Sequence, residues 1–177
     1  MKNSFLVFAK YNEAADEAAF SILNGLSNEE REKDRGSYFG SLSGLARHVA
    51  QGTRFFLGIF KGVLGNNAAA LKALSVLDSE LSLPEGPLND AQWKSLAAAV
   101  KAADAAFVKL VEALNPADFQ TPVPTEWYGG NPPAVPLSFM LQSLVTHNAH
   151  HRGQISQILD SLKIDNDFSG INAAFLK

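Results

Sequence analysis

The sequence predicts an all-α protein, a four-helix bundle with long connecting loops, with residues 1–177 forming one domain. Three observations carry this expectation. Apolar residues recur at helical spacing in four long stretches. Alternating apolar and polar residues between turn signals, the mark of strands, are nearly absent. The 177 residues, 46% hydrophobic and 19% charged, can bury a sizeable core and are too apolar for disorder.

The first stretch, about Phe5 to Leu26, carries the stripe Phe5, Phe8, Asn12, Ala15, Ala19, Ile22 and Leu26. Ser27-Asn28-Glu29-Glu30 then reads as a capping box that opens a short connecting helix. The second stretch, about Ser41 to Leu64, aligns Leu45, His48, Gly52, Phe55 and Ile59, and Gly65-Asn66-Asn67 stops it. Residues 68–88 are weakly patterned, with a loop marked by Pro84, Gly86 and Pro87. The third stretch is the clearest: Asn89 caps it, and Trp93, Leu96, Val100, Ala103, Phe107, Leu110 and Leu114 line one face. Asn115-Pro116 ends it. Residues 120–136 hold five of the eight prolines beside Trp127 and Tyr128, a stiff irregular loop of a kind that is often functional. The fourth stretch, about Leu137 to Lys163, aligns Leu137, Met140, Leu144, His147, His151, Ile155, Ile158 and Leu162. The last fourteen residues read as a tail packed over the bundle. Four such amphipathic helices pack most simply as a bundle.

Composition removes several function classes. With no cysteine there are no disulfides, thiolate metal sites, iron–sulfur clusters or cysteine nucleophile. A net charge of −3 lacks the concentrated basic face that nucleic acid requires. Lys10 and Glu13 follow the apolar Phe5–Ala9 too soon for a secretion signal. No uncharged run approaches the ~20 residues that cross a membrane. A soluble cytoplasmic protein is the expectation.

The histidines are the unusual feature. His147 and His151 are one turn apart, roughly 40° around the helix, in slots where the periodicity asks for leucine or isoleucine. His48 holds the same kind of inward slot on the second helix. His150 lies roughly 130° from the stripe centre, toward solvent or a neighbouring chain. A lone inward histidine is ordinarily satisfied by backbone or carboxylate. Three in one core need a shared solution, because each imidazole carries a donor and an acceptor. A divalent metal supplies one, and three protein ligands leave open positions, as in catalytic rather than structural sites.

Rival metal schemes fail on spacing. No glutamate stands three residues before any histidine, which excludes the di-iron bundle motif. Asn148 follows His147, so the His-Glu-x-x-His protease motif is missing. Haem attachment requires cysteine. Asn12 interrupts the first apolar stripe; buried, its amide can orient a ligand histidine or hydrogen-bond a metal-bound water or substrate, while near a bundle end it would be merely solvated. Gly52, one turn beyond His48, either clears space for a ligand or serves close helix packing.

The run Val145-Thr146-His147-Asn148-Ala149-His150-His151-Arg152-Gly153-Gln154-Ile155 resembles the last-helix signature of the DinB-like (DinB/YfiT) metalloenzymes, His-x-x-x-His followed by Arg-Gly-Gln. Leu45-Ala46-Arg47-His48 resembles the family's second-helix histidine, and Tyr11-Asn12 a pair common in its first helix. The resemblance implies a four-helix bundle in which His48, His147 and His151 hold a divalent metal, the trio that periodicity had selected. Zinc and nickel lead the metals it implies, with iron and manganese as alternatives. It also implies a homodimer and a small-molecule substrate. Characterised members of the family include S-transferases using bacillithiol, mycothiol or glutathione, and a mycothiol-dependent maleylpyruvate isomerase.

The resemblance, added to the three-histidine site, implies a metal-dependent thiol S-transferase. The nucleophile would arrive as a low-molecular-weight thiol cosubstrate, attacking an electrophile held under the Trp127/Tyr128 loop. Hydrolysis by a metal-bound hydroxide and a non-catalytic metal-binding or dimerising bundle are the alternatives. Gln154 borders the site as a supporting residue. Arg152, about 70° from the stripe centre, reads as a helix-packing residue, and Arg47 as a solvated surface arginine.

Overall fold

The computed structural model describes residues 1–78, 86–126, 129, 132–172 and 175. Its long helices are α1 (Lys2–Asn24), α3 (Leu42–Val63), α5 (Asp90–Ala113) and α6 (Leu137–Ser161), with short helices α2 (Asn28–Glu32) and α4 (Ala68–Ala73) in the connections. The fold is all-α around these four, as the periodicity requires.

The caps are made by the residues whose side chains can make them. Ser41 Oγ accepts the Gly44 N–H at the start of α3 at 3.0 Å. Asn89 and Gln92 form a reciprocal capping box at the start of α5. The box expected at Ser27 is only half made. Ser27 Oγ accepts from Glu30 N–H at 3.2 Å, but the Glu30 carboxylate turns away to pair with Arg35.

Two expectations need correction. The weakly patterned stretch after residue 67 contains α4 and a 3₁₀ segment, Leu74–Asp78. Its buried anchors, Ala70 and Leu74, are too few to show a period. The proline-rich loop is not wholly irregular either. Strands β1 (Pro122–Pro124) and β2 (Ala134–Pro136) pair antiparallel, with Val123 opposite Val135. Three-residue strands dominated by proline carry no alternation signal, and their pairing is extended by Leu137 N–H donating to Thr121 O at 2.9 Å. The ladder ties both ends of the loop to the start of α6.

Helix α1 packs against α5 and α6, and α3 packs against the same two, so α1 and α3 occupy opposite corners. Antiparallel α1 and α5 are linked at one end by Lys2 Nζ donating to Glu112 O and at the other by Trp93 Nε1 donating to Asn24 Oδ1. Because each long helix faces two neighbours, its buried arc is displaced from the single stripe read off the sequence. Phe8 and Phe55 are exposed at 39% and 48%, while Ala9 and Leu57 are fully buried. The tail packs as expected at Phe168, whose carbonyl accepts from Tyr11 Oη at 2.9 Å. Among the described residues no helix is long and apolar enough to cross a membrane.

The core is divided. One apolar cluster gathers Ala9, Phe56, Phe60, Phe107 and Leu144. The other gathers Ala19, Leu45, Trp93, Leu96 and Ile155. Between them runs a belt of buried or half-buried polar side chains: Asn12 and Asp16 from α1, His48 and Thr53 from α3, Asp104 from α5, and His147, Asn148, His151 and Arg152 from α6.

Candidate metal centre

Helices α3 and α6 bring His48, His147 and His151 together. One ring nitrogen of each lies within 4.8 Å of the others. His48 Nε2 and His147 Nε2 are 3.2 Å apart. Two nitrogens each about 2.1 Å from a tetrahedral ion lie about 3.4 Å apart, so this spacing suits a shared cation.

The hydrogen bonds on the far side of two rings orient them. His147 Nδ1 is 3.1 Å from Asn148 Oδ1, and the Asn148 amide N–H is committed to Thr53 Oγ1 at 3.0 Å. The facing Asn148 oxygen can only accept, so His147 Nδ1 carries the proton and Nε2 the lone pair. His151 Nδ1 is 2.7 Å from Gln154 Oε1, which with that amide orientation has the same consequence. Both rings therefore present Nε2 lone pairs inward. Without a cation or proton between them, the Nε2 lone pairs of His48 and His147 would oppose each other. The donor set thus fits a divalent metal, with its supporting contacts in place.

Burial also favours the neutral form of His48 and His151. It lowers the His48 pKa to about 4, helped by the charges of His151 and His147. Burial likewise lowers the His151 pKa, against a smaller upward contribution from Gln154. Neutral imidazole is the ligating form. Phe39 stacks on His48 with ring centroids 4.0 Å apart and meets His151 edge-on at 5.4 Å, closing the centre on one side.

Gly52 makes room for the triad. A Cβ there would overlap His147 Cε1 and lie 3.0 Å from each ring nitrogen. Gly52→Ala is therefore expected to separate helix stability from metal affinity. Alanine favours an exposed helix interior by roughly 1 kcal/mol, yet His147 must rotate out of register. Circular dichroism should show a folded helical protein while divalent-metal titration shows affinity lowered by tenfold or more. Unchanged metal affinity would refute the space-clearing role.

A family model for the DinB family matches residues 1–162. The chain belongs to the DinB family. Comparison with curated proteins and with solved structures returned no match. The matched span of this DinB chain runs from α1 to the end of α6 and includes all three histidines.

Other expected site residues fall in different places. Gln154 touches His151 through the bond to Nδ1. Asn12 does not touch a histidine and is not solvated. Fully buried, it donates to Asp104 Oδ1 at 2.9 Å and Asp16 Oδ2 at 3.2 Å, and accepts from Arg152 at 2.9 Å. The cause is α6 geometry: Arg152 follows His151 and so points toward α1, where Asp16 meets it at 2.8 Å. Arg47 donates to Gly86 O at 2.6 Å. Trp127 and Tyr128 lie outside the described residues.

Sequence reasoning passed over Asn148, Thr53 and Phe39. Asn148 had a detectable signal, a polar residue beside His147 with its own share of a buried arc. Phe39 had none, since only the tertiary fold carries its loop to His48.

Beside the triad opens a cavity of about 780 Å³. His48, His147 and His150 line it, and His151 lies behind, 7% exposed. A small molecule entering here meets the inner imidazoles directly.

Proposed function

We propose that this DinB protein is a divalent-metal-dependent enzyme that transfers a low-molecular-weight thiol to an electrophilic small molecule. The observation that supports it best is the convergence of three imidazoles beside a ligand-sized cavity. Among its described lining residues there is no carboxylate.

His48, His147 and His151 would hold the metal, whose Lewis acidity lowers the pKa of a thiol near it. Zinc or nickel suits an imidazole set best, with iron and manganese as alternatives. Thiols ionise near pH 8.5, far below water. The same three ligands would serve a metal-bound hydroxide, so the choice of a thiol rests on the resemblance to thiol-dependent members of the family. The chain has no cysteine, so the sulfur must come from a cosubstrate. His150, on the cavity wall outside the triad, would serve as acceptor of the S–H proton. The carbon–sulfur bond forms as the leaving group departs with its bonding pair, and the proton passes to solvent.

The test is consumption of a model electrophile by metal-loaded protein with and without added thiol. A rate that requires thiol, and falls about 100-fold in His150→Gln at unchanged metal content, is expected. An equal rate without thiol would favour the hydrolytic reading, and no turnover with any thiol would favour a metal-binding scaffold.

A further inference from the structure

The wall of the triad's cavity is built for an uncharged, apolar molecule. Phe55, Phe56, Val135, Phe139, Met140 and Pro132 supply its apolar surface. Phe55 and Phe139 stand 48% and 53% exposed at this wall, a clustering of large apolar side chains that a bound molecule would cover. No lysine, arginine, aspartate or glutamate is among the described lining residues.

The polar groups of the wall are also largely committed. Ser143 Oγ donates to Phe139 O at 2.9 Å. Thr146 Oγ1 donates within α6 to Gln142 O or Ser143 O, each at 3.1 Å, and Thr125 Oγ1 donates to Pro132 O. These hydroxyls have spent their protons and can only accept. A carboxylate or sulfonate placed against them would find no donor, and desolvating it there would be costly. Gln51 and His150 remain as polar side chains for orientation. The volume, about 780 Å³, accommodates a drug-sized molecule.

We propose that the cavity selects an acceptor substrate with an uncharged, aromatic or alkyl body, seated between Phe55 of α3 and Phe139 of α6 with its reactive end toward His48 and His147. This rests on the enzymatic reading for the word substrate, but the recognition is a property of the wall alone. The charged parts of a peptide-like thiol would be kept outside this wall.

The experiment uses the metal-free full chain and the uncharged fluorescent probe N-phenyl-1-naphthylamine. Saturable binding is expected, weakened about tenfold in Phe139→Ala and in Phe55→Ala, each ring being worth about that factor when covered. Both side chains are half-exposed, and thermal melts verify that the variants fold. Displacement by 2-naphthol should be at least tenfold tighter than by naphthalene-2,6-disulfonate. Absent probe binding, binding insensitive to both variants, or equal displacement by the disulfonate would overturn the proposal. Metal uptake is measured separately. Failure to bind metal with the probe still selective would sink the enzymatic reading and leave the cavity's selectivity standing.

Discussion

Replacing His48, His147 or His151 by alanine is expected to lower divalent-metal affinity by well over 100-fold in each case. Loss of a residue that merely supports a ligand costs 10–100-fold, and these are the ligating groups themselves. The two imidazoles that remain cannot rebuild the site, because no described carboxylate stands in reach to substitute. The fold should survive, since the triad lies at the edge of the belt and His48 and His147 are only half-buried. Metal analysis of the purified variants, with circular dichroism as the folding control, decides the matter. Full metal content in any one variant would exclude that histidine as a ligand. A supporting pattern is expected in acid. Because burial lowers the His48 pKa to about 4, that residue adds stability that is lost as pH falls from its ordinary ~6.5 toward 4.

The second large effect concerns two buried aspartates that look equivalent and are not. Asp16 and Asp104 are each 2% exposed and share the one Asn12 amide group, with Arg152 as the cation beside them. Arg152 touches Asp16, not Asp104, so one carboxylate is neutralised and the other is not. Burial raises the pKa of both carboxyls, but Arg152 offsets it at Asp16, whereas at Asp104 the neighbouring Asp16 charge adds to it and the pKa lies well above its ordinary value. Asp104→Asn should consequently change stability by less than about 1 kcal/mol, since an amide oxygen still accepts from Asn12. Asp16→Asn strands a buried guanidinium and should cost about 3 kcal/mol. That is the low end for breaking a buried pair, because Asp104 can release its proton to compensate. The native state binds the extra proton at Asp104, so its contribution makes stability decline as pH rises above ~4. That decline should shrink in Asp104→Asn, leaving the smaller part contributed by Asp16, whose pKa burial also raises. Urea midpoints from pH 4 to 8 for the two variants test both statements. Equal losses in the two would contradict the asymmetry.

The bundle and its histidines were legible in the sequence for one reason: helical periodicity is local. A 3.6-residue repeat places His147 and His151 on one face of α6 and His48 on the inward side of α3 without knowledge of any neighbour. The same locality explains the caps at Asn89 and Ser27 and the choice of a helical fold. Whatever required two helices to meet was decided by the tertiary structure. The stripe could not say that Phe8 and Phe55 face outward, because each helix buries against two partners and the arc's centre depends on where they lie. Nor could it place Asn12. Its inward slot was legible, but the groups awaiting it, Asp16, Asp104 and Arg152, come from three helices. The fold brought Phe39 to His48 from a loop and assigned Gly52 to the His147 ring. It also split the core into two apolar clusters with a polar belt between them. Such a belt is a property of levels along the bundle axis, and a level is defined only once antiparallel helices are in register.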